Sequence, residues 1–194
     1  MGTRNVTIVK LDNKVVATKY CQWDGYPTGQ GVELLEFVKN DLDLRKIKKS
    51  FRNLNIISED EAEVIFDKYL DVVNKVGFDY DKRRKVQHEM VPTLTRDTGG
   101  ADFLRFLQEK PELPLTDHKG NLDYATGKGE MSFGCEYCYE VDLDKKTVRI
   151  YDGHYKRGNL VETLKFDSIR RSKTLTKRME KLQAVLDKKW NGDD

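Results

Sequence analysis

Ten residues, Gln22 to Gly31 (QWDGYPTGQG), do most to limit how this chain can fold. Pro27 fixes its own φ, and Gly25, Gly29 and Gly31 leave the backbone open, so a strand pattern stops before the stretch and a helix pattern starts after it. Trp23 and Tyr26 flank Asp24 and Gly25, which sets flat apolar faces beside a carboxylate and beside a residue free to take positive φ. The helix expected from about Gly31 would aim its unsatisfied first amides at the loop, where an anion would find donors. A ligand platform is one reading. The other is a tight corner in which Trp23 and Tyr26 plug the core and Asp24 bonds its own turn. The spacing matches neither GxxxxGK[ST] nor GxGxxG, so no phosphate-loop fingerprint is present.

Upstream, Asn5 to Leu11 and Lys14 to Cys21 are rich in Val, Ile and Thr, and Asp12-Asn13 between them tolerates turn geometry, which predicts a β-hairpin. Its second strand runs into the glycine-rich stretch, so that loop emerges at a sheet end. Arg4 and Asn5 lie level with Gln22 and Trp23, which puts Arg4 near Asp24 as a salt-bridge partner or as one arm of an anion clamp.

Downstream, Val32, Leu35 and Val38 recur at helical spacing, as do Leu44, Ile47, Phe51 and Leu54 after a break around Asn40 to Asp43. The second of these helices carries Arg45, Lys46, Lys48, Lys49 and Arg52 on its outer side, a run that most simply is a solvated face. Ser58 and Glu61 make a capping box, with Ile57 and Ala62 as its hydrophobic staple. The stripe Ala62, Ile65, Phe66, Tyr69, Val72, Val73 and Val76, ended by Gly77, predicts a core helix. Phe78 to Met90, with four cations in a row from Lys82 to Lys85, fits either a helix or an ordered loop.

Thr95 to Gly100 (TRDTGG) precedes a helix with Ala101, Leu104 and Leu107 inward, and Thr95, Asp97 and Thr98 compete to cap it. Capping explains one of the three, so Arg96 and Asp97 form a second candidate site element, with an ion pair for Arg96 and a cap for Asp97 as the simpler roles. Residues 112 to 130, with Pro111 and Pro114 at the entrance and Gly120, Gly127 and Gly129 inside, read as a long surface loop. Met131 to Asp142 and Thr147 to Tyr151 form a second hairpin around Asp144-Lys145-Lys146, with Phe133, Tyr137 and Tyr139 as sheet core. Val161 to Phe166 is a third strand, and Leu175, Met179, Leu182 and Leu186 mark a terminal amphipathic helix near Trp190.

The expected fold is therefore α+β: a single domain over residues 1–194 with a mainly antiparallel sheet from two hairpins, packed helices, and the basic helix over 172–190 as core element or appendage. Charged residues make up 35% of the 194-residue chain but net charge is only +2, which describes a soluble protein of mixed surface charge rather than a general polyanion binder. Residues 170 to 189 carry eight Lys or Arg against two acids, the one strongly basic segment. No apolar run reaches the roughly 18 residues of a membrane span, and the first ten residues lack both a signal-peptide core and a myristoylation pattern.

Cys21, Cys135 and Cys138 are an odd set without a disulfide framework, which suits a reducing cytoplasm. Strand alternation would put Cys135 and Cys138 on opposite faces, and ligands pointing apart cannot share one zinc ion. Neither a metal nor a cofactor is implied.

Four segments together carry a resemblance: Thr3-Arg4-Asn5, QWDGYPTGQG, TRDTGG, and Tyr139 to Asp144 (YEVDLD). They resemble an uncharacterised family met in bacteriophage and prophage genomes, with relatives in fungi. The resemblance would cover most of the chain and implies a phage setting, in a host cytoplasm, but brings no activity with it. Relatives have Gly where this chain has Cys21, which weighs against a nucleophilic Cys21.

The function expected is non-enzymatic: a binding protein that captures a small polar or nucleotide-like ligand through Arg4, Gln22, Trp23, Asp24, Tyr26, Arg96 and Asp97, or that blocks a host defence factor. A hydrolase is the first alternative, using Thr3 as a nucleophile after loss of Met1 and Gly2, or Asp24 and Asp97 as paired acids. A nucleic-acid-binding accessory protein, using Arg45 to Arg52 and Arg170 to Lys189, is the second.

Overall fold

A computed structural model describes residues 2–117, 126, 135–155 and 158–191. Two hairpins form the centre. Strands β1 (Asn5–Leu11) and β2 (Lys14–Cys21) turn through Asp12 and Asn13, which both take positive φ (52° and 61°), the conformation a two-residue hairpin turn requires. Strands β5 (Tyr137–Asp142) and β6 (Thr147–Asp152) form the second hairpin, and β7 (Asn159–Lys165) adds to its edge. The two hairpins share one five-stranded sheet of order β2-β1-β5-β6-β7, mostly antiparallel. Their join, β1 against β5, is its parallel pairing, with Asn5 opposite Tyr137 and Lys10 opposite Asp142. The fold is α+β.

Helices α1 (Val32–Asn40), α2 (Leu44–Arg52), α5 (Gly100–Glu109), α6 (Phe166–Arg171) and α7 (Leu175–Asn191) cover one face of this sheet. The main core interleaves Val9, Tyr139, Val141 and Ile150 of the strands with Leu35, Phe37, Ile47, Phe103, Phe166 and Met179 of the helices. Leu175, Met179 and Leu186 are buried in that same cluster, so the basic terminal helix rests on the core by its apolar side. Val6, Ile8, Cys135, Cys138, Tyr151 and Tyr155 form a second buried cluster on the other sheet face. Among the described residues, no helix is long and apolar enough to cross a membrane.

Helices α3 (Glu59–Val76) and α4 (Tyr80–Met90) pack on each other beside a small parallel sheet of β3 (Asn55–Ile57) and β4 (Pro114–Thr116). The capping box on Ser58 and Glu61 forms as the sequence indicates, with Ser58 N donating to Glu61 Oε2 at 2.8 Å and Glu61 N to Ser58 Oγ at 3.2 Å. The expectation of a core helix does not hold. Only Ala62 and Val73 of α3 are buried, and Val64 and Leu70 are about half exposed, because the helix lies at the margin of the molecule with α4 as its main neighbour. The segment 78–90, open between helix and loop, is helical from Tyr80, with Asp79 capping Lys82 N at 3.0 Å.

The third strand starts two residues earlier than expected, and Phe166 begins α6 rather than closing it. Tyr137 and Tyr139 are buried as expected. Phe133, Met131 and the glycines at 120, 127 and 129 lie outside the described residues.

Cys135 and Cys138 do not point apart: their Sγ atoms are 3.2 Å from each other, both buried. The amides of Glu136 and Tyr137 both donate to the Arg4 carbonyl (3.2 and 3.3 Å), a bulge at the strand entrance that cancels one step of alternation and returns Cys135 to the face of Cys138.

Candidate functional site

The glycine-rich loop leaves β2 at the end of the sheet away from both hairpin turns. Gly25 N donates to the Thr3 carbonyl at 3.0 Å, and the hydroxyl of the buried Tyr139 donates to the Gly25 carbonyl at 2.7 Å. A Cβ on Gly25 would lie 2.8 Å from the Thr3 carbonyl oxygen, so close approach, not positive φ, demands glycine there. Asp24 carries the positive φ instead, at 51°. A left-handed residue with a side chain costs about 1–2 kcal/mol, held here by the bonds on either side.

Residues Pro27–Gly31 make one π-helical turn that runs directly into α1. Gln30 N donates to the Asp24 carbonyl (2.8 Å), and Gly29 N and Gly31 N to that of Tyr26 (3.0 and 3.2 Å). These amides are engaged, which corrects the expectation of an anion site at the start of α1.

The second glycine-rich segment meets the first. Gln22 N donates to the Arg96 carbonyl at 3.1 Å, and the indole Nε1 of Trp23 donates to Asp97 Oδ1 at 2.9 Å. Asp97 thus steadies a tryptophan that stays 47% exposed, and it does not cap α5. That helix begins at Gly100 with Gly99 before it, and Gln30 Oε1 from the other segment accepts from Gly100 N at 3.1 Å. A Cβ on Gly99 would fall 2.1 Å from that oxygen, so a side chain there would displace the Gln30 amide from its bond to Gly100 N. Lys19, fully buried, donates from Nζ to the Thr93 carbonyl at 3.0 Å and to that of Thr95, tying the segment to β2. Burial lowers the Lys19 pKa to about 8, with Cys21 and Asp97 acting against the shift.

Between these segments and α3–α4 lies a cleft of about 770 Å³, within the usual range for small-molecule sites. Its inner wall, built on the sheet and α1/α5, carries Trp23, Asp24, Gln30, Glu33, Asp97, Thr98 and Asp102. Its outer wall carries Tyr69, Val73, Tyr80, Arg83, Arg84, Gln87 and His88 from α3 and α4, and Arg96 completes the rim. Arg83 donates to the Gly77 carbonyl and covers the Phe78 ring at 5.5 Å. Arg84 and Arg96 form no ion pair among the described residues. The Thr98 hydroxyl is buried with no hydrogen-bond partner among the described residues. Such a group costs free energy unless something else bonds it.

Four carboxylates face these cations. Burial raises the pKa of Glu33, and neighbouring Asp102 and Asp24 raise it further, while the Gln30 amide (2.9 Å) and Arg105 oppose them. Burial also raises the Cys21 thiol. Among the described residues, no three His, Cys, Asp or Glu side chains are placed to hold a metal ion.

Of the seven residues singled out from the sequence, Trp23, Asp24, Arg96 and Asp97 line the cleft. Gln22 contributes its backbone link but is not in the wall. Arg4 is not beside Asp24: it pairs with Glu136 at 3.3 Å, and its amide donates to the same carboxylate at 2.7 Å. Tyr26 turns the other way, its ring 6.4 Å from that of Tyr137. Comparison with protein-family models, curated proteins and solved structures gives no match. The site is therefore read from its own chemistry. Gln30, Glu33, Arg83, Arg84, His88 and Asp102 were not singled out; the Lys82–Lys85 run carried a visible signal, but nothing local distinguished it from a solvated helix face.

Proposed function

We propose that the protein binds, without transforming, a small anionic ligand of nucleotide type in this cleft. The observation that carries the reading is that one cleft is lined by an exposed, hydrogen-bonded Trp23 and by two guanidiniums, Arg84 and Arg96, that form no ion pair among the described residues. A flat ring suits a base, arginines suit phosphate oxygens, and the carboxylates of Glu33 and Asp102 suit ribose or amino donors. With the resemblance to phage and prophage proteins, capture of a nucleotide signal in a host cell is the version we adopt. Calorimetric titration against a panel of mono-, di- and cyclic nucleotides tests it. Binding is expected to weaken about 10- to 100-fold on Arg96→Ala, the usual cost of a charge-assisted bond. Silence across the panel, with a host protein recovered by pull-down, would replace ligand capture with blockade of that protein.

A second reading draws on Glu33, whose raised pKa beside Asp24 and Asp102 suits a proton donor in a paired-carboxylate hydrolase. Chromatography of nucleotides after incubation with the protein separates the two: product that disappears with Glu33→Gln favours hydrolysis. The threonine version has less support, because Thr3 is 8% exposed and its carbonyl anchors Gly25.

A further inference from the structure

The opposite end of the sheet gathers cations that are scattered in sequence. Three tertiary bonds close a triangle there: Lys48 Nζ to Asp144 Oδ1 at 2.8 Å joins α2 to the β5–β6 turn, Phe166 N to the Lys146 carbonyl at 2.8 Å joins that turn to α6, and Arg170 to the Leu42 carbonyl at 3.2 Å joins α6 to the corner before α2. Most acids on this surface are already engaged. Asp144 also accepts from Asp12 N at 2.6 Å, Asp12 pairs with Arg52 at 3.3 Å, and Asp43 caps α2 by accepting from Arg45 N and Lys46 N. Arg45, Lys46, Lys49, Lys146 and Arg171 are exposed and form no ion pair among the described residues; Asp167 is the acid left among them.

None of the large apolar side chains exposed on the molecule belongs to α2, the β5–β6 turn or α6. A protein partner would want an apolar or aromatic centre, and single-stranded nucleic acid would want rings to stack on. Lysines and arginines alone, on short rigid elements, suit a regular row of phosphates.

We propose that this surface, formed by α2, the β5–β6 turn and the end of α6, binds the phosphodiester backbone of duplex nucleic acid without reading its sequence. It is independent of the cleft, which lies at the other end of the strands.

Fluorescence anisotropy of the full chain with a labelled DNA duplex of about 20 base pairs tests the proposal. With about five phosphate contacts, affinity should fall roughly 500-fold between 50 and 200 mM salt, and two duplexes of unrelated sequence should bind alike. Lys46→Glu/Lys49→Glu should weaken binding at least about tenfold at low salt while leaving the thermal melt unchanged. Lys188→Glu on α7 should leave binding within about twofold, because its neighbour Lys189 reaches Asp152 at the cleft end of β6, at 2.9 Å. The proposal is overturned by an absence of binding at 50 mM salt, by equal losses in the α2 and α7 variants, or by tighter binding of poly-glutamate than of duplex at matched salt.

Discussion

The two walls of the cleft are built to different standards. The inner wall stands on the sheet and on α1 and α5, where Leu35, Phe37, Phe103 and Tyr139 are all fully buried, and its loops are tied by backbone bonds to Thr3 and by the Lys19 ammonium. The outer wall is α3 with α4, a pair that buries Ala62 and Val73 and no residue of α4. Among the described residues, what ties it inward includes the short β3–β4 pairing at the start of α3, Gln87 to the Thr95 hydroxyl at 3.0 Å, and the His88 ring edge-on to Phe106 at 5.3 Å. Burial is thus concentrated in one wall, and the other, which brings Arg83 and Arg84, is expected to open locally without unfolding the sheet.

The largest effect expected of this difference is in the core. Phe103→Ala should cost about 3–5 kcal/mol in urea denaturation, against about 1–2 kcal/mol for Val73→Ala on α3. Equal losses would make the outer wall as integral as the inner. Next, native-state hydrogen exchange should find amides of α3 and α4 opening at least about 2 kcal/mol more easily than those of β1 and β5. Exchange of all four at one common free energy would erase the contrast.

A third test concerns the inner wall alone. The folded pKa of Lys19, about 8, lies below its ordinary 10.5, so the unfolded chain holds the extra proton between those values and stability should rise with pH across that window. Relative to Lys19→Met, the wild type should gain at most about 1.4 kcal/mol per pH unit from pH 8 upward. A constant difference between the two proteins would mean the ammonium is not desolvated. The smallest effect is expected of Asp24→Gly. Relief of the left-handed φ offsets the added chain entropy of glycine, so stability in urea denaturation should change by less than about 1 kcal/mol. Strong destabilisation would make Asp24 a scaffold residue.

The inner wall was also the more legible in the sequence. Both strands of the first hairpin have the bounds that their Val, Ile and Thr content and the Asp12-Asn13 turn indicate, because those signals are local. The capping box of α3 was equally plain, yet its apolar stripe says nothing about how much neighbouring structure is there to cover it. Tertiary causes account for the other differences. Arg4 takes Glu136, 132 residues away, in place of the nearby Asp24. One carbonyl shared by two amides moves Cys135 across the sheet. Strands β3 and β4, of three residues each, are too short to show a period. Arg83 and Arg84 belong to the cleft only because α4 folds back over α5, and a charge run looks the same whether it faces solvent or a site.

The parallel join between β1 and β5 bears on how the chain is made. The first hairpin ends at Cys21 and β5 begins at Tyr137, 116 residues later, so at about 5–20 residues per second the first hairpin leaves the ribosome roughly 6–23 s before its partner strand begins to be made. Throughout that interval Val9 lacks its parallel neighbour Val141, and the open edge of β1 can pair with any passing strand. Newly made chains should therefore be most vulnerable to aggregation while synthesis is passing through the middle of the sequence, and slowing translation there should lower soluble yield without altering the finished protein.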